Sequence, residues 1–418
     1  MNAKSFEISL WLDTRRAKQN NQYPVRLRVY SFADRKAKLY TTKFEYSEKE
    51  FASIWETTKP RNEYKDQKNE LTSLFILATS CANELKPFNF DQFERRMFRR
   101  PGDGYNVFYQ YEQAINTLKA NNQLGTASNY ELSLKSLKNF IMYSRGTEPS
   151  KLLFSEITSV WLTKYEKYML EELSRSKTTV SMYLRALRTL FNSAIADNEI
   201  DQIVYPFGRG KYIIPTGRRV KKALSKEEIA RLFHAKAANP EQEKARDFWF
   251  FSYTCNGMNV KDIALLRFSD LKEASFNFSR AKTMNTKKDS EEVDVFLTDF
   301  ARQIIEKYSN KDRDPKQFLF PILKTDDNET EKRSKVQAFT RFINQHIKKL
   351  ALSVGISGDI STYYARHTFS TLAIQNGASL EFVSEALNHS DIKTTRAYFA
   401  GFPDSTKKEL MERLMDFE

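Results

Sequence analysis

A short segment near residue 400 concentrates side chains that could act on a phosphate group. Arg366 and His367 are adjacent, His389 follows, and Tyr398 lies nine positions after His389. Arginine offers a permanently charged planar fork for two phosphate oxygens, histidine can donate a ring N–H, and a phenol can act as a nucleophile. Taken singly, each residue type usually packs or lies on the surface. Only their combination indicates a reaction centre.

The spacing of these residues resembles the C-terminal motif of the tyrosine recombinases, which include the integrases of transposons and related mobile elements. That motif has Arg-His on one helix, Leu-Gly-His at the next, and a tyrosine nine positions later; here Asn388 replaces the glycine. The resemblance implies that Arg366 is the second catalytic arginine, that His389 contacts the scissile phosphate, and that Tyr398 is the nucleophile. It extends more loosely over residues 100–418.

Two positions depart from the family pattern. The family usually has a histidine three residues before the second arginine, and this chain has Tyr363. With a pKa near ~10, a phenol is a poorer general base at neutral pH than an imidazole. At the position of the first catalytic arginine the chain has Asn256 or Asn259, depending on the alignment, and neither is charged.

Arg280 is the candidate replacement for that missing charge. It lies two residues before Lys282 in a segment with strand character, and alternation along a strand would place both side chains on one face. Lys282 resembles the β-hairpin lysine of the family, which protonates the departing 5′ oxygen. A solvated basic hairpin is the alternative for both residues.

Three further residues are expected to support the site. On a helix, the side chain of His367 would point about 100° away from that of Arg366, so it could support the site or be a buried structural histidine. Asp262 resembles an acidic residue that often orients the site in the family, although helix N-terminal charge or an ion pair explains it equally well. Asn256 is also expected to support the site.

The chain of 418 residues is long enough for several domains, and three are expected. The predicted fold is multidomain and mainly α with β. Its parts are a small N-terminal antiparallel sheet domain with a helical extension for arm-type DNA (1–100), a helical-bundle, SAM-like core-binding domain (101–204), a linker (205–222), and a mixed α/β catalytic domain of the tyrosine recombinase type (223–418). Pro87 and the polar run after it suggest a connection between the first two domains.

An excess of basic residues favours nucleic acid as a partner. The chain has 67 Lys and Arg against 53 Asp and Glu, a net charge of +14, although many basic proteins share this property. Residues expected to contact DNA are Arg26 and Arg28 on the middle N-terminal strand, Lys177, Arg185 and Arg188 on the last helix of the bundle, and Arg218 and Arg219 in the linker. An exposed basic face without a partner is the alternative for each group.

No cofactor or metal is expected. Cys81 and Cys255 are the only cysteines, and they lie too far apart to suggest a metal knuckle or a disulfide framework. The sequence shows no signal peptide and no stretch of ~18 apolar residues, so we expect no membrane association. The expected location is the bacterial cytoplasm, in association with the nucleoid.

The resemblance implies a site-specific recombinase that integrates or excises a mobile element through a 3′-phosphotyrosine intermediate and a Holliday junction. Its partners would be double-stranded DNA at core and arm sites, three further copies of the chain in a homotetramer on DNA, and DNA-bending factors from the host or the element. A tail helix over 405–415 could dock on a neighbouring copy or pack within its own domain. The alternatives are a DNA-binding protein with a decayed active site and a nicking-closing enzyme of the type IB topoisomerase kind.

Overall fold

The computed structural model describes residues 5–15, 21–100, 102–217, 222–281, 292–389, 391–402 and 404–415. The chain divides into two compact units, Met1–Gly217 and Arg218–Glu418. Lys282, Arg218 and Arg219, three of the predicted site residues, lie outside the described residues.

The first unit begins with a three-stranded antiparallel sheet in the order β1-β2-β3. Its strands are β1 (Phe6–Leu12), β2 (Tyr23–Ser31) and β3 (Lys36–Tyr46). Alternation along β2 predicts that Val25, Leu27 and Val29 share one face, and all three are buried on that face. Helices α1 (Glu48–Phe51), α2 (Lys65–Asn83) and α3 (Phe90–Met97) contribute buried residues to the same core.

A helical bundle completes the first unit. Its helices are α4 (Val107–Ala120), α5 (Leu124–Arg145), α6 (Ser159–Lys167) and α7 (Lys177–Ala196). Ser176 caps α7, where its side chain accepts a hydrogen bond from the backbone N–H of Thr179. The predicted linker 205–222 begins inside this bundle, because Phe207 and Tyr212 are buried in its core.

Helix α3 lies where the sequence suggested a connecting segment, and it is tied to the end of the bundle by ion pairs. The guanidinium of Arg96 is nearly buried and lies 2.8 Å from Glu84 and 3.5 Å from Glu199. Arg99 lies 2.6 Å from the same Glu199 carboxylate. Arg96 also donates to the backbone carbonyl of Asp197, just beyond α7. Buried charges are paired in this way because an unpaired charge inside a protein is costly.

The second unit is mainly helical, and its described residues include a two-stranded antiparallel sheet. Its elements are α8 (Lys226–Phe233), α9 (Pro240–Thr254), α10 (Val260–Leu265), β4 (Ser275–Phe278), β5 (Val293–Phe296), α11 (Asp299–Tyr308), α12 (Glu329–Ser353), α13 (Thr362–Gln375), α14 (Leu380–Ala386), α15 (Ile392–Tyr398) and α16 (Asp404–Leu414). Ser225 followed three residues later by Glu228 predicts a capping box, and the structure shows this box at the start of α8. Within the described ranges, no helix is both long and apolar enough to cross a membrane.

Helix α9 lies at the centre of the second unit. Phe248, Trp249 and Phe251 are buried in a core to which α12 and α13 also contribute. The indole N–H of Trp249 donates to the backbone carbonyl of Ser361, 3.0 Å away. Since Ser361 directly precedes α13, this bond fixes the start of the helix that carries Arg366.

Three predicted boundaries differ from the structure. The apolar spacing predicts a helix over 335–354, but α12 begins at Glu329, because Asn328 and Glu331 form a capping box. The same kind of spacing predicts a helix over 368–375, but α13 begins six residues earlier, at Thr362. Strand β4 ends at Phe278, so Arg280 is not on a strand and the alternation argument for its position is wrong.

Candidate active site

Helix α13 places Arg366 in the interior of the second unit, where its side chain is buried. Its side chain donates from Nη1 to the carbonyl of Gly257 (3.1 Å) and from Nη2 to the carbonyl of Leu387 (2.6 Å). Burial, and then the neighbouring Arg280, lower the pKa of Arg366 to about 10, so the group stays charged at neutral pH. The two carbonyls hold the fork in one orientation, as contact with two phosphate oxygens requires.

The turn between α9 and α10 gives Arg366 the space that it occupies. Gly257 has φ +64°, and a Cβ built on it would lie 2.7 Å from the Cα of Arg366. Asn256 precedes it with φ +54°, a left-handed conformation that asparagine tolerates better than most residues. Asn256 therefore belongs to the turn on which Arg366 rests.

His389 follows α14 and faces Arg366. Its Nε2 lies 3.3 Å from Nη2 of Arg366, and its Nδ1 lies 2.9 Å from Oγ1 of the buried Thr395. Asn388, the residue in place of the family's glycine, has φ +49°. An asparagine can make this left-handed turn, so the substitution preserves the direction in which His389 leaves α14.

Tyr398 is the last residue of α15, and it lies among four side chains of the site. Its hydroxyl is 2.7 Å from the hydroxyl of Tyr363. Its ring stacks on His367, with centroids 4.4 Å apart, and lies 5.1 Å from the ring of His389. The Arg366 guanidinium lies 5.7 Å from the centre of the same ring.

The backbone of Tyr398 is also held by α13. Its carbonyl accepts a hydrogen bond from Oγ1 of Thr371 (3.3 Å) and lies 3.3 Å from Nδ1 of His367. Thr371 also accepts from the N–H of Ala400. Burial lowers the pKa of His367, so this imidazole is neutral at pH 7. His367 thus contacts the tyrosine by both its ring face and its nitrogen.

Arg280 reaches the same place from the base of the hairpin. It is 9% exposed, and its Nη1 lies 3.5 Å from the Leu387 carbonyl that also accepts from Arg366. The side chain extends into the site from the coil that follows β4. The structure thus brings the two guanidinium groups to one carbonyl.

Asp262 anchors the segment that carries Arg280. One of its carboxylate oxygens accepts from the N–H of Ala281 (3.0 Å), and the other lies 3.4 Å from the amide nitrogen of Asn259. Burial raises the pKa of Asp262, while the backbone N–H and the cations Arg280 and Arg366 oppose that rise. Its position lets it fix the hairpin base and offset the two positive charges.

Two threonines of the site were missed by the sequence analysis. Thr371 lies four residues after His367, and Thr395 lies three residues before Tyr398. Residues at these spacings share a helix face. This helical spacing predicts that the two threonine hydroxyls lie beside His367 and Tyr398.

The first unit contains five of the residues that are predicted to bind DNA. Lys177, Arg185 and Arg188 are exposed on α7, opposite its buried face. Arg26 and Arg28 lie on the face of β2 away from the core; Arg26 pairs with Asp13 (3.8 Å) and Thr41, and Arg28 lies over the ring of Tyr30. Their contact with DNA stays a prediction.

Fold and site together define the class of the tyrosine recombinases. A model of the phage integrase family matches residues 222–403, and one of the phage integrase SAM-like domain matches residues 106–213. The two ranges span more than half of the chain. The chain belongs to the phage integrase family of tyrosine recombinases, and it is a site-specific DNA recombinase.

Curated relatives agree with this assignment. The chain is 26% identical over 290 residues to the tyrosine recombinase XerD of Oceanobacillus iheyensis, which covers 65% of this chain and 86% of the relative. It is 45% identical over 62 residues to XerD of Lacticaseibacillus casei, over 15% of this chain and 21% of the relative.

Solved structures share the fold. A lambda integrase dimer bound to a core site is 13% identical with a TM-score of 0.50, over 70% of this chain and 95% of that one. A XerH recombinase bound to a palindromic substrate in a post-cleavage complex is 18% identical, also with a TM-score of 0.50, over 82% and 93%. The Tn1549 transposon integrase with circular intermediate DNA is 16% identical with the same TM-score, over 73% and 99%.

Proposed function

We propose that the chain integrates or excises a mobile element by cutting and rejoining duplex DNA through Tyr398. The observation that carries this proposal is the contact among Arg366, His389 and Tyr398, with Nε2 of His389 and Nη2 of Arg366 3.3 Å apart. Two nitrogens at that separation can each face one oxygen of the same phosphate. The tyrosine ring lies against both.

In the proposed cleavage step, the Tyr398 hydroxyl releases its proton to solvent, and its oxygen bonds to the scissile phosphorus as the bond from phosphorus to the 5′ oxygen breaks. The products are a 3′-phosphotyrosine and a 5′-hydroxyl, which takes a proton; by resemblance Lys282 supplies it. The extra negative charge of the transition state is met by Arg366, Arg280 and His389. A 5′-hydroxyl from a partner strand reverses the step, and two such exchanges pass through a Holliday junction.

Tyr363 serves as a hydrogen-bond partner of the nucleophile. Burial, together with the bond to Tyr398, raises the pKa of Tyr363, which keeps this phenol neutral at physiological pH. A neutral hydroxyl can orient the Tyr398 hydroxyl but is a weak proton acceptor. Its role is therefore to hold the nucleophile before DNA arrives.

The remaining assignments rest on the sequence and on charge. Residues 1–100 would bind arm DNA, residues 101–204 would bind core DNA, and residues 223–418 would cut it, with 205–222 as the linker. Four copies would act together on DNA with bending factors, and binding to chromosomal DNA would place them in the nucleoid. The tail helix α16 exposes Met411 and Leu414, which suits docking on a neighbouring copy.

A nicked duplex that traps the covalent intermediate tests this function. The wild-type protein should form an SDS-stable adduct with DNA, and Tyr398→Phe should bind the same DNA without forming it. Binding without an adduct in the wild type would instead indicate a decayed active site. Relaxation of supercoiled DNA without strand exchange would indicate the topoisomerase-like alternative.

A further inference from the structure

The hydroxyl of Thr395 is in direct contact with the catalytic histidine. Oγ1 of Thr395 lies 2.9 Å from Nδ1 of His389, and the threonine is fully buried in α15. On the other side of the ring, Nε2 lies 3.3 Å from Nη2 of Arg366. Each ring nitrogen therefore has a defined polar neighbour.

Donor and acceptor chemistry fixes the histidine tautomer in this arrangement. A guanidinium nitrogen only donates, so the Nε2 that faces Arg366 accepts with its lone pair. In a neutral imidazole the proton then lies on Nδ1, which donates it to Thr395. This tautomer cannot donate from Nε2 to a phosphate oxygen.

Contact with the scissile phosphate requires the opposite arrangement. A phosphate oxygen accepts hydrogen bonds, so Nε2 must carry a proton when DNA occupies the site. The Nδ1 side must then tolerate either a lone pair or a proton. A carboxylate at that position would favour Nδ1–H permanently, whereas a hydroxyl can either accept or donate.

We propose that Thr395 is a positioning residue whose hydroxyl lets His389 change from a hydrogen-bond acceptor toward Arg366 into a donor toward the scissile phosphate. In the free site the Thr395 hydroxyl accepts from Nδ1–H. In the DNA-bound site it rotates and donates to Nδ1, or it accepts from a doubly protonated ring. This inference rests on the proposed function, because it takes the phosphate as the new partner of Nε2.

Thr395 lies on the same helix as the nucleophile, α15. Thr395 and Tyr398 are three residues apart on one helix, so they move together. The helix that delivers the nucleophile therefore also delivers the partner of Nδ1. Histidine donation and nucleophile placement are coupled through this one helix.

Three variants separate the hydroxyl from the shape of the side chain. Thr395→Val keeps the shape and removes the hydroxyl, and Thr395→Ser keeps the hydroxyl. Thr394→Val, at the exposed neighbour on the same helix, is the matched control. In single-turnover cleavage of a nicked duplex, the valine variant should be about tenfold slower with DNA binding unchanged, while the serine variant should recover most of the rate.

Nitrogen-15 NMR of the His389 ring in the full chain gives a second readout. The wild type should show the Nδ1–H tautomer in the free protein and a protonated Nε2 on DNA, and Thr395→Val should lack this change. Wild-type cleavage by Thr395→Val, or equal slowing by valine and serine, would overturn the inference while leaving the proposed function intact. If the wild type forms no adduct, the proposed function fails, and an unchanged ring on DNA would overturn the inference too.

Discussion

The hydroxyl oxygens of Tyr363 and Tyr398 lie 2.7 Å apart, at the start of α13 and at the end of α15. The family places a histidine at the first of these positions, so this chain holds its nucleophile with a second phenol. The bond joins two helices through the reacting group itself. Its removal should affect the reaction more than the fold.

Tyr363→Phe tests the bond between the two phenols. The ring and its edge contact with His367 remain, while the hydroxyl that orients Tyr398 is lost. We expect cleavage of a nicked duplex to slow by about tenfold at unchanged DNA affinity, the effect of one hydrogen bond. Tyr364→Phe, on the same helix but packed against the core, is the control and should cleave at the wild-type rate.

Arg280→Ala tests the replacement of the first catalytic arginine. Loss of one fixed cation that meets developing negative charge should slow cleavage by at least about tenfold, with DNA binding largely intact. Arg280→Lys keeps the charge but not the planar fork, so its cleavage rate should lie between those of the wild type and the alanine variant. Cleavage at the wild-type rate in the alanine variant would show that another cation fills the gap.

Gly257→Ala tests the close approach of the α9–α10 turn to Arg366. The added methyl group would overlap the backbone of Arg366, whereas in Gly355→Ala the nearest atom is a flexible arginine end 3.6 Å away. Both glycines have a positive φ, 64° and 72°, so the backbone strain is similar. We expect Gly257→Ala to lower the free energy of unfolding by at least about 1 kcal/mol more than Gly355→Ala, as measured with urea. Equal losses would contradict the predicted overlap.

His367 makes the stability of the second unit depend on pH. Burial holds the pKa of His367 in the folded state below its ordinary value of 6.5. At pH values between these two pKa values, the unfolded chain therefore binds more protons than the folded one. Its contribution to stability is therefore full above pH 6.5 and is lost as the pH falls toward the folded-state pKa. Lys222 and Arg366 face the ring and oppose its protonation further.

Urea unfolding at pH 7.5 and pH 5.5 checks this dependence. The wild type should lose more stability on acidification than His367→Gln, which cannot gain a charge at that position. If both lose the same amount, His367 does not titrate as its burial requires.

Arg96→Met tests the ion pairs that join α3 to the end of the bundle. The variant keeps most of the side-chain volume but removes a nearly buried cation from Glu199 and Asp197. We expect a loss of about 3 kcal/mol in the free energy of unfolding of the first unit. Arg145→Met, which breaks the exposed pair with Glu156, should cost only ~0–1 kcal/mol. Similar losses would show that burial does not strengthen the network.

The sequence by itself determined the residues whose relation is local or repeats a known spacing. The interval between His389 and Tyr398, the alternation along β2 and the cap of α8 all follow from a few neighbouring residues. Helical periodicity also places Thr371 on the same helix face as His367, and Thr395 on the same face as Tyr398. These relations depend on backbone geometry alone.

Only the tertiary structure decided what surrounds Arg366. Its partners Gly257 and Leu387 and the second cation Arg280 come from segments far apart in the chain, and Arg280 enters from a coil rather than a strand. No local pattern encodes which carbonyl will face a guanidinium across a core. That choice results from how the helices pack, because a buried charged group is tolerated only where packing brings it partners.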